Sequence, residues 1–132
     1  MFRTKHISVS VKQPTQKVYE FVSNPENLPL WASGLSDTIR KEGTDWVADS
    51  PMGAVKIKFS ESNSFGILDH VVTLPSGETF YNPLRVFTNN GGSELVFTLF
   101  QYTGMTDVQF DNDAALVEND LKKLKAILEK ES

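Results

Sequence analysis

The last quarter of the chain most constrains its fold. Phe110, Ala114, Val117, Leu121, Leu124 and Leu128 recur at spacings of four and three, which puts them on one stripe of a single helix. A helix from Asp107 to Lys130 measures about 36 Å at 1.5 Å per residue. Thr106-Asp107-Val108-Gln109 supplies a capping box for its start. A helix with one apolar stripe has to lie against something, and the residues before it offer a sheet. Turn signals stand at Glu42-Gly43-Thr44, Ser50-Pro51-Met52-Gly53, Asn63-Ser64, Pro75-Ser76-Gly77 and Asn89-Asn90-Gly91-Gly92. That spacing predicts an antiparallel meander. The fold class is therefore α+β.

The first strand is read at His6 to Lys12, where Ile7, Val9 and Val11 alternate with polar neighbours. Pro14 suits the start of a helix over Thr15 to Val22, with Val18, Phe21 and Val22 on one face. Asn24-Pro25 ends that helix, and a second short one is expected from Glu26 to Trp31, kept short by Pro29. Ala54 to Ser60 alternates cleanly, with Val55, Ile57 and Phe59 on its buried side. Later strands are read at Phe65 to Leu74, Phe80 to Phe87 and Leu95 to Tyr102. These carry large apolar residues at both parities, which points to a covered outer face and to a homodimer as one way of covering it. The expectation is one domain, residues 1–132, with six or seven strands, two short helices after the first strand and one long closing helix.

Composition narrows the function. The net charge of −4 and scattered Lys and Arg argue against nucleic acid as a partner. Lys122, Lys123 and Lys125 share their helix with Glu118, Asp120 and Glu129 and read as a solvated face. The absence of cysteine removes disulfides, thiol catalysis and thiolate metal sites. No apolar run follows Met1-Phe2-Arg3-Thr4-Lys5-His6, and no stretch has the length of a membrane helix. No membrane insertion and a cytoplasmic location are therefore expected.

Two small residues in the stripe, Ala114 and Val117, let helix and sheet enclose space without filling it, and a small ligand would fit there. At this point a resemblance enters. Val18-Tyr-Glu-Phe-Val-Ser-Asn-Pro-Glu-Asn-Leu-Pro-Leu-Trp31, Gly66-Ile67-Leu68-Asp69-His70, Asp120-Leu121-Lys122-Lys123-Leu124 and the order of elements resemble the START-like superfamily. This group also takes in polyketide cyclase/dehydrase (SRPBCC) and pollen-allergen-like proteins. The resemblance implies a helix-grip fold, a curved sheet wrapped around the long helix, and a cavity for lipids, sterols, polyketides or similar compounds. It carries no shared catalytic motif.

Asp69-His70 is the candidate acid–base pair. Adjacent strand residues point to opposite faces, so only one of the two enters the cavity. Parity favours His70, which alternates with Leu68, Val72 and Leu74, although a histidine that simply hydrogen-bonds a neighbour in a packed interior is the preferred reading of it. Arg85 either holds a ligand anion or faces outward and pairs with a surface acid across the sheet, the outward reading being preferred. Asn82 has the opposite parity to Arg85 and shares that of Phe80, Leu84 and Val86. Trp31, Trp46, Phe59, Leu68, Phe97, Val117 and Leu121 complete the expected lining, although packing alone also explains the two tryptophans. No metal site is read: there are two His, and Asp107, Asp111 and Asp113 lack calcium-loop spacing. Asn90-Gly91-Gly92-Ser93 joins two strands and reads as a hairpin, and no Gly-x-Ser-x-Gly elbow occurs. No cofactor is implied.

The leading functional reading is binding or carriage of a small hydrophobic molecule. The alternative is a cyclase- or dehydratase-like enzyme using His70 or Asp69 with Arg85 or Asn82. A protein-interaction module is the third.

Overall fold

The computed structural model describes residues 1–35 and 38–130, so positions 36–37 and 131–132 of the expected domain lie outside the described residues. The chain runs β1 (Arg3–Val11), α1 (Thr15–Ser23), a 3₁₀ turn (Pro25–Asn27), α2 (Leu28–Trp31) and β2 (Ile39–Glu42). It continues through β3 (Asp45–Ser50), β4 (Gly53–Phe59), β5 (His70–Thr73), β6 (Thr79–Asn82), β7 (Leu84–Asn89), β8 (Gly92–Gln101) and α3 (Asp107–Lys130). This is the expected α+β helix grip, with one strand more than the upper expectation.

The extra strand comes from Pro83. The pattern of residues 80–87 predicts one strand, but β6 ends at Asn82 and β7 begins at Leu84. Proline has no N–H to give to a ladder, so the pairing breaks there. The sheet divides into β1-β8-β7 and β2-β3-β4-β5-β6, both antiparallel. The Pro83 carbonyl still accepts a 3.0 Å bond from Thr98 N, which keeps the two sheets edge to edge as one bent surface.

The expected strand over 65–74 is shorter too. Asn63 Oδ1 accepts from the backbone N–H of Phe65 and Ile67, at 3.0 and 3.1 Å. Its Nδ2 donates to the Glu61 and Ile67 carbonyls. The resulting loop brings Gly66, at φ 73°, so close to β7 that a Cβ would stand 2.1 Å from the Val86 carbonyl oxygen. Only glycine fits there. Regular pairing begins at His70.

The Asn89–Gly92 hairpin has positive φ at both central residues, Asn90 at 40° and Gly91 at 88°, the turn whose twist suits a two-residue hairpin. The capping box forms as expected: Thr106 N donates to Gln109 Oε1 at 2.9 Å and Gln109 N to Thr106 Oγ1 at 3.1 Å. Of the helix stripe, Phe110, Ala114, Leu121, Leu124 and Leu128 are buried. Val117 alone of the six is only half-buried. The helix lies along β1 and β8 and meets α2 near its middle, with no more than slight contact to the five-stranded sheet. No helix is long and apolar enough to cross a membrane, among the described residues.

Candidate functional site

Val117 is half-open because the helix and the five-stranded sheet diverge there. A cavity of about 370 Å³ lies between them, within the range of small-molecule sites. Its walls come from four places. Leu28, Trp31 and the turn Ala32–Leu35 form one side, and the β3–β4 turn, Ser50 to Met52, forms another. The sheet supplies Val55, Ile57, His70, Val72, Leu74, Asn82 and Phe97, and the helix supplies Val117 and Asp120. The lining is mainly hydrocarbon and, among the described residues, includes neither Lys nor Arg.

Strand parity places the polar groups. On β5, His70 and Val72 face inward, and on β6 Asn82 sits opposite His70 in the antiparallel register. Directly opposed residues share a face, with Cβ atoms roughly 5 Å apart. Imidazole and amide therefore stand side by side in an apolar wall. His70 Nδ1 lies 3.1 Å from the Leu68 carbonyl oxygen. A carbonyl only accepts, so Nδ1 carries the proton, and Nε2 of the neutral ring is an acceptor. The ring packs against Phe59 at 4.9 Å and Phe97 at 6.2 Å between centroids. Burial pushes its pKa below the usual histidine value, against weaker opposing pulls from the Leu68 carbonyl and Asp69. Neither Nε2 nor the Asn82 amide has a hydrogen-bond partner among the described residues.

The mouth is tied on the helix side. Asp120 accepts from Ser33 N at 3.1 Å with each oxygen, and from the Ser33 hydroxyl. Burial raises the Asp120 pKa, with the Ser33 bonds and Lys123 opposing. Behind the turn, Trp31 Nε1–H is buried without a partner, the one such side-chain N or O among the described residues. An unmatched donor of this kind costs about 1–3 kcal/mol.

Of the expected lining, Trp31, His70, Asn82, Phe97 and Val117 border the cavity. Leu68 and Leu121 are instead sealed in the core at 1% exposure each. Phe59 supports the His70 ring from behind, and Trp46 lies toward the sheet edge beneath Lys41, 6.0 Å from its centroid. Of the Asp69-His70 pair only His70 enters the cavity; Asp69 faces away from it, as does Arg85.

On that outer face the two form one network. Asp69 accepts from Leu84 N at 2.9 Å, Tyr81 Oη at 2.6 Å, Arg85 Nε at 3.3 Å and Arg85 Nη2 at 2.9 Å. Burial alone would raise the Asp69 pKa; the bonds from Arg85, Tyr81 and Leu84 outweigh it, and the pKa falls. The carboxylate thus pins the backbone just beyond Pro83. Arg85 is the outward residue paired with an acid, and Asp69 is that acid.

Sequence reasoning did not find Ser33–Leu35, Ser50–Met52 or Asp120, since short turns and one helical acid give no periodic signal. A wider surface groove of about 610 Å³ runs between α1, residues 62–66 and β7. Its lining is about equally polar and apolar, with Gln16, Glu20 and Thr88 beside the exposed rings of Phe65 and Phe87.

No protein-family model matches the chain, and no curated protein sequence matches it. Solved structures do. DynU16, described as a putative protein in the dynemicin biosynthetic locus, is 19% identical with a TM-score of 0.72 over 96% of this chain. The chain spans 47% of DynU16, about half of its length. The Aha1 dimer from Colwellia psychrerythraea is 16% identical, with a TM-score of 0.74 over 96% of both chains. Ara h 8.0201 is 15% identical, with a TM-score of 0.70 over 97% of this chain and 98% of its own. Likeness at these identities is a likeness of fold, and the fold is the helix grip of the START-like, polyketide cyclase-like and pollen-allergen-like proteins.

Proposed function

We propose that the protein binds a small hydrophobic molecule in the cavity between the five-stranded sheet and α3. One observation carries the reading: Val117, alone in its stripe, is only half-buried and borders a void of about 370 Å³. Protein interiors are otherwise close-packed, and the walls around this void are mostly apolar. Trp31, His70, Asn82, Phe97 and Val117 are the ligand contacts. Asp69 and Arg85 are assigned to the fold, and no catalytic role is assigned to either.

The test is thermal stabilisation by a panel of neutral sterols, fatty alcohols and polycyclic aromatics, on the wild type and on Val117→Trp. The indole at 117 fills the cavity from the helix side. A compound present at a hundred times its Kd adds about 2.7 kcal/mol. At about 2.1 cal/mol/K per residue, the 132 residues turn this into a rise of about 10 °C. The variant is expected to lose the rise. A wild type that no compound stabilises refutes the proposal, and so does a Val117→Trp protein that responds like the wild type.

A further inference from the structure

Resting on the reading of the cavity as a ligand site, we infer that His70 and Asn82 form a hydroxyl-recognition pair, which selects an uncharged ligand presenting one hydroxyl group to the β5–β6 wall. The geometry is that of two complementary half-sites. With Nδ1–H committed to the Leu68 carbonyl, His70 Nε2 can only accept. The neighbouring Asn82 amide, opposite His70 in the register, offers N–H donors and a carbonyl acceptor. A hydroxyl group is at once a donor and an acceptor. It donates a hydrogen bond to Nε2 and accepts one from Asn82 Nδ2–H.

Three further facts favour a neutral partner. The His70 ring is held between Phe59 and Phe97, so it cannot swing away to meet a ligand with different polarity. Among the described residues no Lys or Arg lines the cavity, and the one acid that does is Asp120. A carboxylate or phosphate would set lone pairs against the Nε2 lone pair with no cation to stabilise it. An ether of the same shape accepts but does not donate, and leaves Nε2 dry. Water can satisfy both groups when no ligand is present, so a ligand that displaces that water has to replace both bonds or lose affinity.

The test uses four probes on one rigid frame: phenanthrene, 9-phenanthrol, 9-methoxyphenanthrene and phenanthrene-9-carboxylate, each titrated by fluorescence near neutral pH. The expected order places 9-phenanthrol about tenfold tighter than the methoxy ether, as one net hydrogen bond provides, with the carboxylate weakest. In His70→Phe, which keeps a ring between Phe59 and Phe97 but removes the acceptor, the phenanthrol-to-ether ratio falls to about one. Asn82→Leu weakens phenanthrol and ether alike, because both oxygens accept from Nδ2, and so lowers the phenanthrol-to-phenanthrene ratio. A wild type that binds phenanthrol and ether alike, or the carboxylate best, overturns the pair while leaving the cavity reading intact. A wild type that binds none of the four sinks both, since the frame itself then finds no site. If His70→Phe does not fold, the wild-type ¹⁵N imidazole spectrum decides. The His70 Nε2 resonance moves upfield, toward a hydrogen-bonded acceptor, with 9-phenanthrol and stays with phenanthrene. No difference between these two compounds counts against the pair.

Discussion

Asp69→Asn separates the two faces of the sheet. The carboxylate takes four hydrogen bonds, from Leu84 N, Tyr81 Oη and two nitrogens of Arg85. Asparagine keeps one acceptor oxygen and replaces the other with N–H donors. If the retained oxygen stays on Leu84 N, the new amide faces Arg85 Nη2 and Tyr81 Oη. The tyrosine hydroxyl can rotate to accept, whereas a guanidinium cannot. Arg85, with 55% of its side chain exposed, then turns to solvent.

Bonds to a charged group contribute about 1.5–3 kcal/mol, but half-exposure of the partner reduces the Arg85 share to about 1 kcal/mol. Weakening the remaining bonds from charged to neutral adds about 1 kcal/mol more. The expected loss is about 2 kcal/mol, or about 7 °C in Tm at about 2.1 cal/mol/K for each of 132 residues. Arg85→Gln forfeits only the exposed share, about 1 kcal/mol. The sign with pH follows from the lowered Asp69 pKa. Stability gained from this carboxylate is complete above its unfolded pKa and is lost as pH falls through the folded value. The gap between wild type and Asp69→Asn is therefore flat near neutrality and narrows below about pH 4. Urea melts of the three proteins across that range are the assay. The reasoning is refuted if Arg85→Gln costs as much as Asp69→Asn, or if the gap does not narrow in acid. Ligand affinity is a second reading, because a residue outside the cavity leaves it unchanged.

Two other perturbations probe the framework. Gly66→Ala puts a Cβ 2.1 Å from the Val86 carbonyl oxygen at φ 73°, and should destabilise by about 3 kcal/mol from left-handed strain and overpacking together; a denaturation midpoint within error of the wild type would show that the loop yields freely. For His70, a folded pKa below the ordinary 6.5 means that the unfolded chain binds more protons, so stability is full above about pH 6.5 and declines beneath it. His70→Phe should flatten that limb below about pH 6.5, and an unchanged slope would mean that the ring is not held neutral.

The elements that could be read locally were read correctly. A capping box and a stripe of six residues define α3 with no help from the rest of the chain, and the Asn90-Gly91 turn carries its own geometry. Parity gave His70 over Asp69 and the outward setting of Arg85 as preferences only, and left open which face is the inner one; period-two alternation survives the break at Pro83. The break itself had a local sign in that proline, yet the flanking apolar residues outweighed it in the reading. The strand over 65–74 failed for a different reason. Its first half is held by Asn63 and by the approach of Gly66 to Val86, contacts that no alternation records. The mouth of the cavity was least legible. Ser33, Met52 and Asp120 come from three distant segments, and their meeting is a property of the closed fold.

The cavity follows from how unevenly the helix is gripped. Because α3 lies along β1 and β8, its apolar stripe is spent on the three-stranded sheet, with Phe110, Leu124 and Leu128 fully buried. The five-stranded sheet bends away at Pro83, and its inner face at Val72 and Asn82 meets the helix only across the gap at Val117. Closing the gap would need a large side chain at 117 or a straight β6–β7 strand. The first is denied by a valine and the second by a proline. The Asp69 network braces that bend from outside, through Leu84 N. An acid that first reads as a catalyst thus holds the backbone beyond the bend, on the face opposite His70 and Asn82.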